Sequence, residues 1–360
     1  MAYDESNIKS LSSIEHIRLR PGMYIGRLGN GSHPDDGIYI LLKEVIDNSI
    51  DEFMEGHGNR INITLEDKKV TVRDFGRGIP LNKVIECVSV INTGAKYDNV
   101  AFQYSVGLNG VGTKAVNALS SYFEVTSIRD GEFMFASFER GTLKKKKKGT
   151  TDQPNGTEMT FIPDDDPKVF GQYSYNEDYI KERLWNYAYL NKGLTISFNG
   201  RLIKSQNGLM DLVHKILGED GLYPLITFKN KHLEYAFTHT NGYGESYHSY
   251  VNGQYTSDGG THEAAFKEGV LKGINEYYKK SWASPEIRDG IVATVAIKVQ
   301  NPVFESQTKN KLGNTDVRQW IVQEVKESVI DCLMKNKEIA KGLEDKIVNN
   351  EKVHKEEAAV

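Results

Sequence analysis

Leu41 to Glu52 reads as a helix with acids and an amide gathered on one side. At 100° per residue, Glu44, Asp47, Asn48 and Asp51 fall within an arc of about 100°, and Leu41, Leu42, Val45, Ile46 and Ile50 fill most of the rest. An ordinary solvated helix face has the same outline. Two features argue against it. The stripe contains no Lys or Arg to make i,i+4 pairs. It also contains Asn48, a residue type that prefers caps to helix interiors. Grouped carboxylate and carboxamide oxygens suit Mg²⁺, which takes few protein ligands and keeps waters and phosphates.

Four further segments have chemical potential. Asp74-Phe75-Gly76-Arg77-Gly78-Ile79-Pro80 directly follows a strand-like stretch. An acid at a strand end, followed by spaced glycines, lets a flat ligand approach the backbone and lets Asp74 accept from an exocyclic amine. A tight turn stabilised by Asp reads the same way. Ser105-Val106-Gly107-Leu108-Asn109-Gly110-Val111-Gly112-Thr113-Lys114 opens onto a helix, an arrangement that binds anions. It lacks the Gly-Lys-Ser/Thr register of a Walker loop and the βαβ setting of a dinucleotide fingerprint. Gly156-Thr157 opens a strand, with the Thr157 hydroxyl as a potential partner. Ser306-Gln307-Thr308-Lys309 follows Asn301-Pro302 and, alone, reads as a polar loop.

These segments need a frame. Alternation predicts strands at Ile61–Leu65 and Val70–Arg73, closing a hairpin. Helices are expected at about 81–91, 114–119 and 176–191. Phe123–Ile128, Phe133–Glu139 and Thr157–Ile162 read as strands of one antiparallel sheet. From about residue 215 a second unit begins, with strands at 233–239, 247–251 and 291–299. Helices are expected there at 263–280 and from about 316 toward 350. That order suggests α+β. Residues 1–37 are loop-rich. The run Lys144–Lys148 reads as a solvated hairpin tip, with phosphate contact as the alternative. Asp164-Asp165-Asp166 reads as a capping loop in preference to a metal cluster.

The 360 residues suggest two domains. Hydrophobic residues at 39 % and charged residues at 26 % fit a folded chain and argue against disorder. The formal net charge of −4 excludes a wholly basic nucleic-acid surface but allows a local basic patch. Cys87 and Cys332 have no partner spacing for a disulfide scaffold or a zinc site. No signal-like apolar core follows Met1, and no run of about 18 apolar residues occurs. The expectation is a cytoplasmic chain with no membrane partner.

Together, in this order and spacing, the five segments resemble the GHKL ATPases. Within that group they resemble the B subunits of bacterial type IIA topoisomerases, gyrase and topoisomerase IV. The resemblance covers nearly all of residues 3–345. It includes Arg20-Pro21-Gly22-Met23-Tyr24-Ile25-Gly26, Asn117-Ala118-Leu119-Ser120, Gly259-Gly260-Thr261-His262 and Gln307-Thr308-Lys309. The last of these is peculiar to the topoisomerase branch, and Glu44-Val45-Ile46-Asp47-Asn48-Ser49 leans toward topoisomerase IV. The implied fold is α+β: a GHKL (Bergerat) α/β sandwich, then a ribosomal-S5-like α+β transducer domain. The implied division is an N-terminal arm and strap at 1–37, an ATPase domain at 38–214, a transducer at 215–345 and a helical tail at 346–360. No metal-binding domain for DNA cleavage follows Lys309, so the expectation is an ATPase-plus-transducer portion that does not cut DNA.

The resemblance implies ATP and Mg²⁺ as ligands. It makes Glu44 the general base, Asn48 the Mg²⁺ ligand and Asp51 a further nucleotide-site residue. Asp74, supported by Thr157, reads the adenine amine, while Gly76, Gly78 and Ile79 admit and wall the ring. Lys96 and the lid Ser105, Val106, Gly107, Leu108, Asn109, Gly110, Val111 and Gly112 hold the phosphates. Lys309 and Gln307 serve the γ-phosphate, and Tyr3 lies on an arm that crosses to a second copy of the chain. The implied partners are that second copy, a topoisomerase A subunit and double-stranded DNA. Two positions depart from the pattern. Phe75 replaces the usual acid or amide, and Phe102 stands where a tyrosine is common. A mismatch-repair or chaperone ATPase is disfavoured by Gln307-Thr308-Lys309 and Tyr3. A binding module without hydrolysis is disfavoured by Glu44.

Overall fold

A computed structural model describes residues 4–91, 111–305 and 309–360 of the chain. It divides into two compact units, Met1–Ala188 with Gly193–Lys204, and Tyr189–Lys192 with Ser205–Val360.

The first unit begins with short helices α1 (Ser13–Leu19) and α2 (Gly22–Ile25). Helix α3 (Gly37–Met54) follows. Its N-cap, Asp36, spends its side chain on the preceding loop, accepting from the N–H groups of Gly31 and His33 and pairing with Arg27. Beyond the helix end, Gly56 takes the left-handed conformation (φ 86°) that commonly stops helices. Strands β1 (Arg60–Glu66) and β2 (Lys69–Asp74) form the expected antiparallel hairpin, with Ile61 opposite Asp74. Helices α4 (Val84–Ser89) and α5 (Gly112–Ala118) come next. Strands β3 (Ser120–Arg129), β4 (Glu132–Glu139), β5 (Thr142–Thr150) and β6 (Gly156–Pro163) follow, then α6 (Glu177–Leu190), β7 (Thr195–Phe198) and β8 (Arg201–Ile203). The strands make one sheet in the order β5-β4-β3-β6-β2-β1-β7-β8. One layer of helices packs on it. Phe123, Phe138 and Phe161 are buried between them, each worth about 1.5–3 kcal/mol of burial.

The lysine run corrects an expectation. Lys144–Lys148 is not a hairpin tip; it is the body of β5, the edge strand, with Lys145–Lys148 paired to β4 and Lys144 at a register shift in the ladder. The turn between the strands falls earlier, at Arg140-Gly141, both at positive φ. The acidic run differs too. Asp164 is fully buried and accepts from Arg18 and Arg140, so it is an ion-pair anchor.

The second unit contains α7 (Leu209–Leu217), β9 (Ile226–Lys229), β10 (Leu233–His239), β11 (Ser246–Val251), β12 (Gln254–Tyr255), α8 (Thr261–Tyr278), α9 (Ser284–Arg288) and β13 (Ile291–Ile297). It ends in α10 (Arg318–Lys335) and α11 (Lys337–Ala358). The final helical stretch is therefore two helices, broken at Asn336, whose backbone leaves the helical region (φ −130°, ψ 89°). The five-stranded sheet runs β12-β11-β13-β10-β9. Helix α8 packs tightly on α10 because Gly269 and Gly273 face it. A Cβ at Gly269 would lie 2.7 Å from Val325 Cβ and 2.9 Å from the Val322 carbonyl.

Those contacts decide the sign of a substitution. Ala is better than Gly in a helix by about 0.8–1.0 kcal/mol, whereas overpacking costs about 1–3 kcal/mol. Gly269→Ala is expected to lower the urea midpoint of unfolding. A raised midpoint would show that the α8–α10 contact yields easily.

Candidate functional site

Helix α3 is buried almost all round. Glu44, Asp47 and Asp51 are buried together with its apolar residues, and Asn48 is half-buried. The expected division into a buried apolar side and a polar stripe is therefore too simple. The absence of a basic partner for the stripe is also corrected. Lys43 Nζ lies 2.7 Å from Asp47 Oδ2, and the Tyr187 hydroxyl donates to Asp47 Oδ1 at 2.5 Å. Asp47 sits at the stripe's edge, about 40° round the helix from Lys43, within reach of a residue four positions earlier. Asp47 is thus committed to the protein.

Glu44, one turn before Asn48, faces the start of α5. A Cβ added to Gly112 would lie 2.2 Å from Glu44 Oε2, so any side chain there would displace the carboxylate from this position. Val111, the N-cap of α5, accepts from the Ala115 N–H. The Asn48 amide nitrogen donates to Thr113 Oγ1 at 2.7 Å, which fixes its carboxamide plane. The sequence reading missed Thr113's part, although that residue closes the glycine-rich segment. Glu44, Asn48, Gly112 and Thr113 therefore form one constellation between α3 and α5.

Asp74 anchors the other end. Its Oδ2 accepts from the Ser49 hydroxyl (2.9 Å), and its Oδ1 accepts from the N–H groups of Gly76 (3.0 Å) and Thr157 (3.1 Å). Thr157 thus contacts it through the backbone, where the hydroxyl was expected. Burial pushes the Asp74 carboxyl above its ordinary range, and those three donors pull the other way. Ser49 is a site residue the sequence reading passed over, though it follows Asn48 directly. Gly78 has φ 78°, and a Cβ there would meet the Ile128 carbonyl at 2.6 Å. Its glycine is required by strand β3 regardless of any ligand. The Ile79 carbonyl accepts from the Ser127 hydroxyl at 2.6 Å, fixing the wall residue's backbone. Arg77 pairs with Glu52 through two nitrogens, at 2.9 and 3.2 Å, holding the Gly76–Gly78 turn against α3. The Phe75 ring lies under the Arg73 guanidinium, 4.5 Å from its centroid. Arg73 also donates to the carbonyls of Asp74 and Pro154.

In the second unit, Lys309 is buried and takes positive φ (60°). The loop that follows it is laced to the Gly259-Gly260-Thr261 segment. Asp258 N–H donates to the Asn310 carbonyl at 2.9 Å, and Thr261 N–H to the Leu312 carbonyl at 3.1 Å. His262 is buried against the Thr256 hydroxyl, and burial drops its pKa to about 3. Two motifs distant in sequence are therefore one local structure. Tyr3, Lys96, Ser105 to Gly110 and Gln307 lie outside the described residues, as does Phe102.

Comparison with known proteins decides the family. The profile of the histidine kinase-, DNA gyrase B-, and HSP90-like ATPases matches residues 34–167, and that of DNA gyrase B matches residues 197–360. The chain is 54 % identical to the B subunit of DNA topoisomerase 4 from Borreliella burgdorferi, over 99 % of this chain and 60 % of that one. It is 34 % identical to the B subunit of DNA gyrase from Thermotoga maritima, over 96 % and 59 %. The crystal structure of the 43K ATPase domain of Thermus thermophilus gyrase B, in complex with an aminocoumarin, superposes with a TM-score of 0.76 at 30 % identity, covering 97 % of this chain and 99 % of that one. The chain belongs to the B-subunit family of type IIA DNA topoisomerases. It spans about 60 % of the length of the curated relatives it matches. The first unit carries the GHKL ATPase match, a nucleotide-binding fold, and the α+β second unit lies, from Ser205 on, within the DNA gyrase B match. No helix among the described residues is long and apolar enough to cross a membrane.

The raised pKa of Asp74 has a consequence for stability. A group that holds its proton more tightly when folded stabilises the fold fully below its unfolded value, 3.8, and loses that contribution as pH rises through the folded value. Asp74→Asn removes the buried charge. Relative to wild type it is expected to be more stable at pH 7, with the difference shrinking toward acid pH in denaturant titrations. A variant whose advantage grows on acidification would contradict this.

Proposed function

We infer that this chain binds ATP with Mg²⁺ and hydrolyses it, and that nucleotide binding joins two copies into a clamp acting on double-stranded DNA. The observation that carries the reading is the buried Glu44 carboxylate held against Gly112, one helical turn from Asn48 and in the same unit as the Asp74 network. Hydrolysis of a phosphoanhydride needs positioning and charge neutralisation more than covalent chemistry.

Glu44 orients the attacking water and takes its proton as the new P–O bond forms; the bond to the ADP oxygen breaks, releasing ADP and phosphate. Asn48, its plane fixed by Thr113, is the residue to hold Mg²⁺ through its carboxamide oxygen. Among the described residues no group of three or more His, Cys, Asp or Glu is placed to share a metal. A cation here therefore suits Mg²⁺ completed by phosphates and water. When bound, that cation neutralises charge on the phosphate oxygens. Asp51, buried on the same helix, belongs to the nucleotide side of the site. An ionised carboxylate offers about four acceptor positions. Three are taken on Asp74, and the fourth is left for the adenine amine. Gly76, Gly78, Ile79 and Thr157 frame the ring. Lys96, the lid from Ser105 to Gly112, Gln307 and Lys309 are assigned to the phosphates, and Tyr3 to the exchanged arm. The higher identity to a topoisomerase 4 relative favours the topoisomerase IV branch over gyrase, with a topoisomerase A subunit as the further partner. The expected compartment is the cytoplasm.

Glu44→Ala is expected to reduce ATP turnover by about 10²–10⁴-fold while equilibrium nucleotide binding persists. Undiminished turnover would remove Glu44 as base; binding without phosphate release by wild type would make the chain a nucleotide-binding module. Gel filtration with a non-hydrolysable ATP analogue is expected to shift the wild type from monomer to dimer. A species that stays monomeric at every concentration would sink the clamp.

A further inference from the structure

Strand β5 is a one-sidedly charged feature outside the nucleotide site. All nine of its residues are exposed, and five consecutive ones are lysine. Among the described residues Lys144 pairs with Glu139 at 3.9 Å, and Lys145 to Lys148 make no ion pair. The register with β4 sorts them. Lys145 and Lys147 lie opposite Ser137 and Phe135 on one face, and Lys146 and Lys148 opposite Ala136 and Met134 on the other. Same-face lysines are about 6.7 Å apart, and the run spans about 13 Å.

Protection of the sheet edge accounts for lysine at an edge strand but not for its concentration, since five consecutive like charges also repel one another. The overall charge balance does not supply this basicity. Buried acids (Asp36, Glu44, Asp47, Asp51, Asp74, Asp164) and buried bases (Lys43, Arg73, Lys114, Lys309, Lys346) nearly cancel. The net charge of −4 therefore resides mostly at the surface. Four consecutive lysines without an ion pair, beside a fifth that pairs with Glu139, are a local exception on a mildly acidic protein that a polyanion would relieve.

We propose that the β5 edge is a binding site for the phosphate backbone of double-stranded DNA, separate from the nucleotide site. A duplex carries one negative charge per about 1.7 Å of its axis, so about eight charges lie along the run. The alternating lysines would reach phosphates on both sides of the strand. Contacts of this kind carry no base specificity. The choice of duplex DNA over another polyanion rests on the topoisomerase reading above; the site itself does not.

The test is fluorescence anisotropy of a labelled 30-base-pair duplex against this chain, titrated with KCl. Wild type is compared with the fivefold variant Lys144→Gln, Lys145→Gln, Lys146→Gln, Lys147→Gln, Lys148→Gln. The pairs Lys145→Gln/Lys147→Gln and Lys146→Gln/Lys148→Gln guard against misfolding of the fivefold variant. Each phosphate that is no longer neutralised should make the slope of log K against log salt shallower by about 0.9. The slope is expected to become shallower by about 1.8 in each pair if both faces engage, and by up to about 4.5 in the fivefold variant. ATP turnover without DNA, measured in parallel, should not change. Unchanged duplex affinity and slope in every variant would overturn the proposal. Weakened binding of heparin with no change for the duplex would overturn DNA as the ligand. A wild type that binds duplex through these lysines yet fails to hydrolyse ATP would overturn the ATPase reading and leave this one standing.

Discussion

Helix α3 carries Glu44, Asp47 and Asp51 into the interior, where an unpaired ionised carboxylate costs several kcal/mol. Much of the first unit is arranged around that cost. Lys43 and Tyr187 hold Asp47. Arg77 holds Glu52 at the helix end, and Ser49 on the same helix reaches Asp74 on β2. Glu44 sits against the backbone of Gly112, which a side chain would block. The helix is thereby locked to β2, to the turn after it and to α5 by polar contacts that hydrophobic packing alone would not orient. A nucleotide site needs this kind of fixing, because a reactive carboxylate must stand within tenths of an ångström of its working position.

The second unit meets the same problem by backbone means. Lys309 is a non-glycine residue at φ 60°, a conformation that costs about 1–2 kcal/mol. The segment after it is tied down along the Gly259–Thr261 stretch. Gly260, at φ 128°, lets that stretch approach within 2.5 Å, counted from a Cβ, of the Leu312 backbone. Strain of this size persists when neighbouring structure over-determines it, and such positions cluster at sites that bind or react.

Local signals made much of this legible. Helical periodicity placed the α3 stripe. Alternation gave the β1–β2 hairpin and three strands of the large sheet. The Asp-x-Gly-x-Gly string marked Asp74. What stayed hidden depended on contacts across the fold. Lys43 lies outside the acid stripe on a helical projection, yet its long side chain reaches Asp47. Gly76 and Gly78 read as ligand clearance, whereas Gly78 is demanded by the Ile128 carbonyl. The lysine run carries a loop's composition, but the ladder with β4 overrides propensity and makes it a strand. Among the described residues Lys145 to Lys148 have no ion-pair partner to betray the ladder with β4.

The Arg73–Phe75 pair shows how a departure from a family pattern can be absorbed. An acid or amide at position 75 would interact with Arg73 by charge or hydrogen bond. Phe75 offers the ring face instead, and Arg73 turns its nitrogens to the carbonyls of Asp74 and Pro154. Burial lowers the Arg73 pKa, which makes those acceptors necessary and not incidental. The Asp74 carbonyl and the same guanidinium leave no room for a side chain at Gly156, where a Cβ would lie 2.1 Å from each. The strand that supplies the Thr157 N–H to Asp74 therefore begins at a glycine that the Asp74 backbone and Arg73 together require. A residue that touches no ligand in this arrangement still fixes the donor geometry of the carboxylate that would.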